Sequence, residues 1–326
     1  MTESQDRGAS VENAIELSIV VPVFNEAESI PELCDGLGGQ LDELSQTSEI
    51  LFVDDGSTDD TYVVLEEMSR KHSRVRAIRF QRNNRKAAAL AAGFSAARGG
   101  IIITMDGDLQ DDPAEIRNLL TALEAGSDLV SGWKKERHDP LSKTLPSKLF
   151  NLVTSLVSGI RLHDFNCGLK AYRSEVAKDL LPYLYGELYR YIPAIAHWSG
   201  YRVSEIPVNH RRRQYGKSKF GSRRLINGLL DLLSITFVVR FMTTPMHVFG
   251  SLGMMCGLAG TAIGGYITFL WLQTGSIQNR HPLLILCVLL IIVGIQLFST
   301  GLLGDMLASV HQRSGRTPRV SNRCGA

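Results

Sequence analysis

The chain has 326 residues, with 35 Lys plus Arg, 33 Asp plus Glu and a formal net charge of +2 at pH 7. That length allows one large domain or two modest ones, and the near-neutral total by itself identifies no partner; no nucleic-acid partner is expected. The five cysteines show no paired spacing, which argues against a disulfide framework or a zinc site and favours a reducing compartment.

Residues 1–16 are polar and acidic, so we expect a disordered tail there and no signal peptide. From Leu17 to about Val208, short apolar runs alternate with helical patterns. Strands are predicted at LSIVVPV (17–23), EILFVDD (49–55), VRAIRF (75–80), IIITMD (101–106) and DLVSGW (128–133), and helices at 28–44, 61–71, 86–97 and 113–125. Alternation at this spacing indicates an α/β fold, with a mostly parallel sheet that is covered on both faces.

Acidic or amide residues follow three of these strands, in pairs at Asn25 and Glu26, Asp54 and Asp55, and Asp106 and Asp108. Ligands of such sheets bind outside the carboxyl ends of the strands, so we predict a ligand site there. Asp106-x-Asp108 presents two carboxylates to one hard cation. Oxygen ligands suit Mg²⁺ or Mn²⁺, which in turn binds a diphosphate. Asp111 and Asp112 precede Pro113. We predict that one of them caps the next helix, that both complement its dipole, and that both lie outside the site.

Two nucleotide-binding motifs can be excluded. No G-x-G-x-x-G follows the first strand, so a dinucleotide site would lack its phosphate cradle. YGKSKFG (215–221) contains Gly-Lys-Ser, but the P-loop glycine five positions earlier would be Arg211. The same region carries a basic run, with seven Lys or Arg and no acid between Asn209 and Gly228.

Two uncharged apolar stretches, Val248 to Leu272 and Leu283 to Gly304, each exceed the ~20 residues that an α-helix needs to cross a bilayer. We predict a transmembrane hairpin with spans at about 246–272 and 283–305; the alternative is a pair of buried core helices. Arginines flank the hairpin on both sides and Arg280 alone lies between the spans. The positive-inside rule therefore places both flanks in the cytoplasm.

Two further features accompany the hairpin. Gly253-x-x-x-Gly257 and Gly260-x-x-x-Gly264 allow close approach of another helix, which could be the second span or another chain, so a homo-oligomer is permitted but not required. The preceding segment, 222–244, is mostly apolar with polar residues spaced along it. It is predicted to be an amphipathic helix at the membrane interface, the alternative being a core helix of the soluble domain.

Five motifs occur in order: VPVFNE (21–26), VDDGSTDDT (53–61), MDGDLQDDP (105–113), DFNCGLKAYR (164–173) and RQYGKSKFG (213–221). They resemble the family-2 glycosyltransferases with a GT-A (Rossmann-like) fold. Together with the hairpin they are similar to dolichyl-phosphate mannose synthases and bacterial polyprenyl-phosphate glycosyltransferases, over about Leu17 to Asp305. The Q-x-x-R-W motif of processive family-2 polymerases does not occur, which favours transfer of a single sugar. RNNRKAAALAAG (82–93) departs from the R-N-F-G that relatives often carry.

The resemblance implies a nucleotide-sugar site at the strand ends. Asp106, Asp108 and Gln110 would hold the metal and the donor's pyrophosphate, and the metal would stabilise the charge on the leaving nucleoside diphosphate. Arg213 and Lys219 would clamp the donor's phosphates, the alternative being attraction to anionic lipid. Whether Asp54 or Asp55 touches the nucleoside is left open. The remaining residues of the implied nucleotide-sugar pocket are Pro22, Phe24, Asn25, Glu26, Val53 and Gly107.

The resemblance also implies an anionic lipid acceptor. Lys134, Lys135 and Arg137 follow the fifth predicted strand, where the family carries basic groups that face the lipid phosphate. A phosphate monoester is already a charged nucleophile, so cations that align it matter more than a strong general base. Asp164 would orient the acceptor or the sugar; the alternative is a structural cap of the DFNCG turn.

We therefore predict a membrane-anchored, inverting glycosyltransferase that uses Mg²⁺ or Mn²⁺. It would transfer one hexose, from UDP-glucose or GDP-mannose, to undecaprenyl or dolichyl phosphate at the cytoplasmic face of the inner (plasma) membrane. The alternatives are a different acceptor, diacylglycerol or a glycan, and a non-catalytic nucleotide-sugar-binding scaffold. The predicted order is the tail (1–16), a GT-A domain (17–221), the juxtamembrane helix (222–244), the hairpin (245–310) and a basic cytoplasmic tail (311–326).

Overall fold

A computed structural model describes residues 15–135, 151–156, 158–211, 246–277 and 280–313 of the chain, with side chains in the last helix described as far as residue 306. The chain divides into two compact units, Met1–Leu233 and Ser234–Ala326. The predicted juxtamembrane helix lies outside the described residues, as do Arg137, Arg213, Lys219 and most of both predicted tails.

The first unit contains a seven-stranded sheet in the order β3-β2-β1-β4-β6-β5-β7. Strand β1 pairs in parallel with β2 and β4, β2 with β3, and β5 with β7, whereas β6 runs antiparallel between β4 and β5. The predicted, mostly parallel α/β sheet is confirmed. The strands are β1 (Leu17–Val23), β2 (Ser48–Asp54), β3 (Val75–Arg79), β4 (Ile101–Thr104), β5 (Leu129–Lys134), β6 (Lys170–Arg173) and β7 (Val203–Val208).

Six helices of this unit have both ends described: α1 (Ile30–Asp42), α2 (Thr61–Lys71), α3 (Arg85–Ala96), α4 (Glu115–Glu124), α5 (Ser174–Leu180) and α6 (Ile192–Trp198). Residues 151–156 are also helical, and 3₁₀ turns occupy Leu181–Tyr183 and Leu188–Tyr191. The four predicted helices match α1 to α4 with ends that differ by at most two residues. Their apolar spacing explains the agreement: α4 buries Ile116, Leu119, Leu120 and Leu123, a single stripe at helical spacing.

The core is built on strands that are apolar on both faces. Ile19, Val20 and Val21 of β1 are all 0% exposed, as expected for a central parallel strand with helices on both sides. The amino end of the sheet also holds a buried acid, Glu49, which accepts hydrogen bonds from Ser18 Oγ (2.7 Å) and Arg76 (2.6 Å). Burial alone would raise the pKa of Glu49, but these hydrogen bonds and the charge of Arg76 lower it below its ordinary value.

The second unit contains a π-helical turn (Met246–Gly250), α7 (Ser251–Thr274) and α8 (His281–Arg313). By length and composition, Met246–Thr274 and His281–Met306 are apolar enough to cross a membrane, with mean hydropathies of 1.4 and 2.7. Only 11% of each apolar window is buried inside the protein. A core helix of a soluble protein would be mostly buried, so within the described residues this exposure disfavours the core-helix alternative.

The glycine repeats lie between α7 and α8. A Cβ atom added at Gly253 would be 2.7 Å from the carbonyl oxygen of Gly294, and one added at Gly260 would be 2.8 Å from Cγ1 of Ile291. The two backbones can approach this closely because these positions carry no side chain. The repeats thus serve the contact between the two helices of one chain, and they give no separate support to a homo-oligomer.

Candidate active site

The carboxyl ends of β1, β2 and β4 lie side by side, because β1 pairs in parallel with both neighbours. In the described part of the chain, the non-glycine residues with positive φ are Asn25 (55°), Arg85 (71°) and Leu109 (59°). Each lies in a segment that follows β1, β3 or β4, at this edge of the sheet. Such conformations are sparsely populated and persist where surrounding contacts hold them, as they often do at functional sites.

Asp106 follows β4, and its carboxylate contacts the ammonium group of Lys86 in the first turn of α3. The two side chains are 31% and 30% exposed. Burial alone would raise the pKa of Asp106, but Lys86, together with Lys134 and Lys170, lowers it to about 2. For Lys86, burial acts to lower the pKa, and Asp106 and Tyr189 raise it. Asp106 is therefore fully ionised near neutral pH, as a metal ligand must be.

The DFNCG turn packs directly on Asp106. A Cβ atom added at Gly168 would lie 2.5 Å from Cγ of Asp106, so a side chain at this position would displace the carboxylate. Thr104, at the end of β4, donates a hydrogen bond from Oγ1 to the carbonyl oxygen of Gly168 (2.8 Å). Position 168 thus requires glycine because its backbone lies so close to the carboxylate of Asp106. The motifs MDGDLQDDP and DFNCGLKAYR are in contact at this point.

Asp108 and Gln110 continue the same loop. Asp108 is 9% exposed, and its Oδ1 accepts the backbone N–H of Gln110 (3.2 Å). Among the described residues, no three His, Cys, Asp or Glu side chains form a metal cage. Mg²⁺ is commonly held by one or two carboxylates while water and substrate phosphates complete its shell. The pair Asp106 and Asp108 fits a divalent cation that is bound jointly with a diphosphate.

Asp111, predicted as a possible helix cap, is a buried anion beside this loop. It is 1% exposed, its Oδ1 lies 3.2 Å from Nζ of Lys134, and its Oδ2 accepts the N–H of Asp106 (3.4 Å). The capping prediction is wrong for Asp111. Asp112 accepts the N–H of Ala114 on its Oδ1 (3.1 Å) in the turn that precedes α4, but the N-cap residue is Ala114 and no side chain caps the helix. Asp111 was missed because its partner comes from β5, far along the chain.

The two described lysines of the predicted lipid-phosphate set have different surroundings. Lys134 is 16% exposed; burial alone would lower its pKa, but Asp111 and other neighbours raise it. It therefore lies inside the site as a permanent cation. Lys135 is exposed, and its Nζ lies 6.0 Å from the centre of the Trp133 ring. Trp133 itself stacks on His163, with ring centres 4.1 Å apart.

The two acids after β2 can now be distinguished. Asp54 is 0% exposed, accepts the N–H of Ser57 (2.9 Å) and lies 3.6 Å from Nε of Arg79, so its carboxylate holds the turn. Asp55 is 5% exposed and accepts the N–H of Asn84 (2.7 Å), and burial raises its pKa.

Asn25 also holds the turn after β2, because its Oδ1 accepts the N–H of Thr58 (2.9 Å). Of the remaining predicted residues, Val53 is fully buried, the Gly107 carbonyl accepts from Ser29 Oγ (2.7 Å), and the Glu26 N–H donates to Thr61 Oγ1 (2.9 Å).

A cavity opens beside Asp106, and residues 165–168 form one of its walls. Asp164 precedes that wall. It is 1% exposed and accepts the N–H of Asn166 (3.0 Å), which supports the alternative that Asp164 caps the DFNCG turn. The lining comprises Pro22, Lys86, Leu90, Thr104, Asp106, Phe165, Asn166, Cys167, Gly168, Lys170, Tyr172, Tyr189, Arg190 and Ile192.

The start of the basic run is attached to the acidic loop. His210 forms an isolated antiparallel bridge with Asp111, and the N–H of Arg211 donates to the carbonyl oxygen of Gln110 (2.8 Å). The guanidinium group of Arg211 lies 2.9 Å from Asp112. Arg211 is the last described residue of the basic run, so the described contacts place its beginning, at His210 and Arg211, against the acidic loop.

Comparison with known proteins identifies the family. The model of Glycosyl transferase family 2 matches residues 18–181. The dodecaprenyl-phosphate galacturonate synthase of Rhizobium johnstonii is 37% identical over 313 residues, which are 94% of this chain and 91% of that protein. An undecaprenyl-phosphate 4-deoxy-4-formamido-L-arabinose transferase of Pseudomonas aeruginosa is 34% identical over 305 residues, 93% of this chain and 88% of that protein.

Solved structures agree on the fold. The glucosyl-3-phosphoglycerate synthase of Mycobacterium tuberculosis, crystallised with Mn²⁺, UDP and glucosyl-3-phosphoglycerate, is 18% identical, with a TM-score of 0.52 over 68% of this chain and 80% of that one. The same enzyme was crystallised with Mn²⁺ and UDP-glucose, so a divalent metal accompanies the nucleotide in a protein of this fold. The chain belongs to glycosyl transferase family 2 and is a glycosyltransferase.

Proposed function

We propose that the protein transfers one sugar from a nucleoside-diphosphate sugar to a polyprenyl phosphate, with inversion at the anomeric carbon and with a divalent cation. The observation that carries the proposal is the acidic loop after β4, where Asp106 and Asp108 follow a strand paired with β1 and the DFNCG turn packs on Asp106. The relatives support the acceptor, because both are named for transfer to a polyprenyl phosphate. They are named for galacturonate and 4-deoxy-4-formamido-L-arabinose, so glucose and mannose are two donor sugars among several.

The donor would bind at the carboxyl edge of the sheet. Asp106, Asp108 and Gln110 would hold Mg²⁺ or Mn²⁺, which would neutralise charge on the departing diphosphate. Lys86 already contacts Asp106 and would be free to meet the diphosphate once the cation occupies that carboxylate. Asp55 is the better candidate for the nucleoside, because the carboxylate of Asp54 is engaged in its own turn.

The acceptor phosphate would be aligned by cations. Lys134 is held in place by Asp111 and keeps its charge, and Lys135 and Arg137 follow it in the chain. A phosphate oxygen would attack the anomeric carbon as the bond to the diphosphate breaks, and no group has to remove a proton from the nucleophile. Arg213 and Lys219 are proposed to clamp the donor's phosphates, and Asp164 to position the sugar or the acceptor.

Membrane attachment completes the proposal. The apolar helices α7 and α8 would span the inner membrane, with the catalytic unit and both termini in the cytoplasm, as the flanking arginines indicate. The division into a GT-A domain at 17–221, a juxtamembrane helix at 222–244 and a hairpin at 245–310 belongs to the same proposal. The exposed apolar side chains of the hairpin would then face lipid.

The proposal is tested by a donor panel with purified protein, undecaprenyl phosphate and Mg²⁺. The donors are UDP-linked glucose, galactose, glucuronate, galacturonate and 4-deoxy-4-formamido-L-arabinose, and GDP-mannose, with products extracted into butanol and weighed by mass spectrometry. We expect one sugar per lipid with at least one donor. No glycolipid from any donor would contradict the function, and a product formed only when diacylglycerol replaces the polyprenyl phosphate would favour the alternative acceptor.

A further inference from the structure

Lys170 is a buried lysine at the start of β6. The residue is 4% exposed, and its ammonium group donates a hydrogen bond to the carbonyl oxygen of Cys167. Within the described residues this is its only hydrogen-bond partner, and no carboxylate oxygen lies within 4.0 Å of its Nζ. An ammonium group has three donors, so two of them remain for a ligand.

Unlike Lys170, each of three neighbouring cations contacts a carboxylate directly. Lys86 contacts Asp106, Arg190 pairs with Glu187, and Lys134 pairs with Asp111. Burying an ammonium group without an anion is strongly unfavourable. Within the described residues no carboxylate pairs directly with the ammonium group of Lys170, although the charges of Asp106 and Asp164 act on it from beyond salt-bridge distance.

The position of Lys170 indicates which part of the substrate would meet it. Lys170 lines the same cavity as Asp106, together with the rings of Phe165, Tyr172 and Tyr189. In the proposed function the diphosphate would meet its own cations at Asp106, namely the metal ion and Lys86. A cavity that combines aromatic rings with hydrogen-bonding groups such as Thr104 and Asn166, beside the proposed metal site, is suited to the sugar that is attached to that diphosphate.

We propose that Lys170 binds a carboxylate of the donor sugar, which makes nucleotide-linked uronic acids the donor class of this enzyme. This inference rests on the proposed function, and among the donor sugars considered above only the uronates carry such a carboxylate. Burial lowers the pKa of Lys170 and the charge of Lys86 acts in the same direction, whereas Asp164 and Asp106 act to raise it. A further anion in the cavity would add to the stabilisation of the charged form. The stability lost by burying the ammonium group would be recovered when the donor binds.

The test compares UDP-galacturonate with UDP-galactose, which differ only in a carboxylate or a hydroxymethyl group at C-6. We expect wild-type protein to use the uronate in preference. Lys170→Met should lower kcat/KM for the uronate by roughly 10- to 100-fold more than it lowers kcat/KM for galactose, which corresponds to the loss of one charge-assisted hydrogen bond. Lys170→Arg should retain part of the uronate activity. Equal losses with both donors would place Lys170 on a phosphate, and a wild-type preference for galactose would also overturn the proposal.

Thermal unfolding without donor separates a binding role from a structural one. Removing an unpaired buried charge should leave Tm of Lys170→Met equal to or above that of wild-type protein, whereas loss of a structural contact would lower it. A lower Tm together with loss of UDP binding would make Lys170 structural and overturn the inference. Transfer of galactose alone would leave the proposed function intact and reject the uronate, whereas failure of the whole donor panel would reject the function itself.

Discussion

The contact between Lys86 and Asp106 makes a quantitative prediction about metal binding. A cation that binds Asp106 has to displace the ammonium group of Lys86. At a separation of about 3 Å, Coulomb's law gives roughly 5 kcal/mol for such a pair at an effective dielectric constant of about 20. Both side chains are about 30% exposed, and solvent screening reduces the net contribution to about 1–2 kcal/mol. Lys86→Met should therefore bind Mn²⁺ about 5- to 30-fold more tightly in the absence of donor.

The assay is a titration of donor-free protein with Mn²⁺, followed by electron paramagnetic resonance of the unbound ion. The same variant should transfer sugar more slowly, because the diphosphate loses its lysine. Lys71→Met, at an exposed lysine at the end of α2, is the control and should change neither quantity. Unchanged or weaker Mn²⁺ binding by Lys86→Met would refute the reasoning, since the lysine would then not compete with the cation.

Three further predictions follow from the packing. Gly168→Ala should lower the rate of transfer by roughly 100-fold with an unchanged circular dichroism spectrum, because its Cβ would lie 2.5 Å from Cγ of Asp106. The control is Gly38→Ala on α1, which adds a Cβ in open space and should remain active. Gly294→Leu should lower Tm in detergent, because its Cβ would lie 2.8 Å from the Gly253 carbonyl oxygen, whereas Gly265→Leu, in open space, should not. Glu49→Gln should destabilise the protein by about 1–3 kcal/mol at pH 7 in urea unfolding. The pKa of Glu49 is lowered by folding, so its contribution is present above the unfolded value near ~4.3 and should disappear as the pH falls through the folded value.

Each of these has a contrary outcome. Full activity of Gly168→Ala would mean that the turn can move away from Asp106 without consequence. Equal Tm losses for the Gly294 and Gly265 variants would mean that the close approach of Gly294 to Gly253 does not contribute to stability. A Glu49→Gln deficit that persists below the folded pKa of Glu49 would show that something other than the ionised carboxylate is responsible.

The regular elements were predictable because their signals are local. Strand β1 and helix α4 carry apolar patterns of the correct period, and each was placed within two residues. Strand β6 was missed because it has only four residues, and two of them, Lys170 and Arg173, are basic and do not indicate a buried strand. Its antiparallel course could not be read from an alternating α/β pattern. The role of the glycine repeats was left open for a similar reason, since spacing does not say which helix approaches.

The candidate site was predicted in part. Asp106 and Asp108 stood out because two acids follow an apolar strand, and their place at the sheet edge follows from parallel pairing. The contacts of Lys86 and Asp111 were not predictable, because each depends on a partner from another element of the fold. Asn84 and Arg85 were noticed as a departure from the family pattern, whereas Lys86, the next residue, was not singled out.

The most direct test of the central claim is a single-turnover transfer assay with saturating protein, labelled donor and undecaprenyl phosphate, run with Mg²⁺ and with EDTA. The account predicts one labelled lipid product, which disappears with EDTA and falls at least ~100-fold in Asp108→Asn, while Asp42→Asn at an exposed surface pair keeps the wild-type rate. Glycolipid formed at the wild-type rate in EDTA, or by Asp108→Asn, would contradict it.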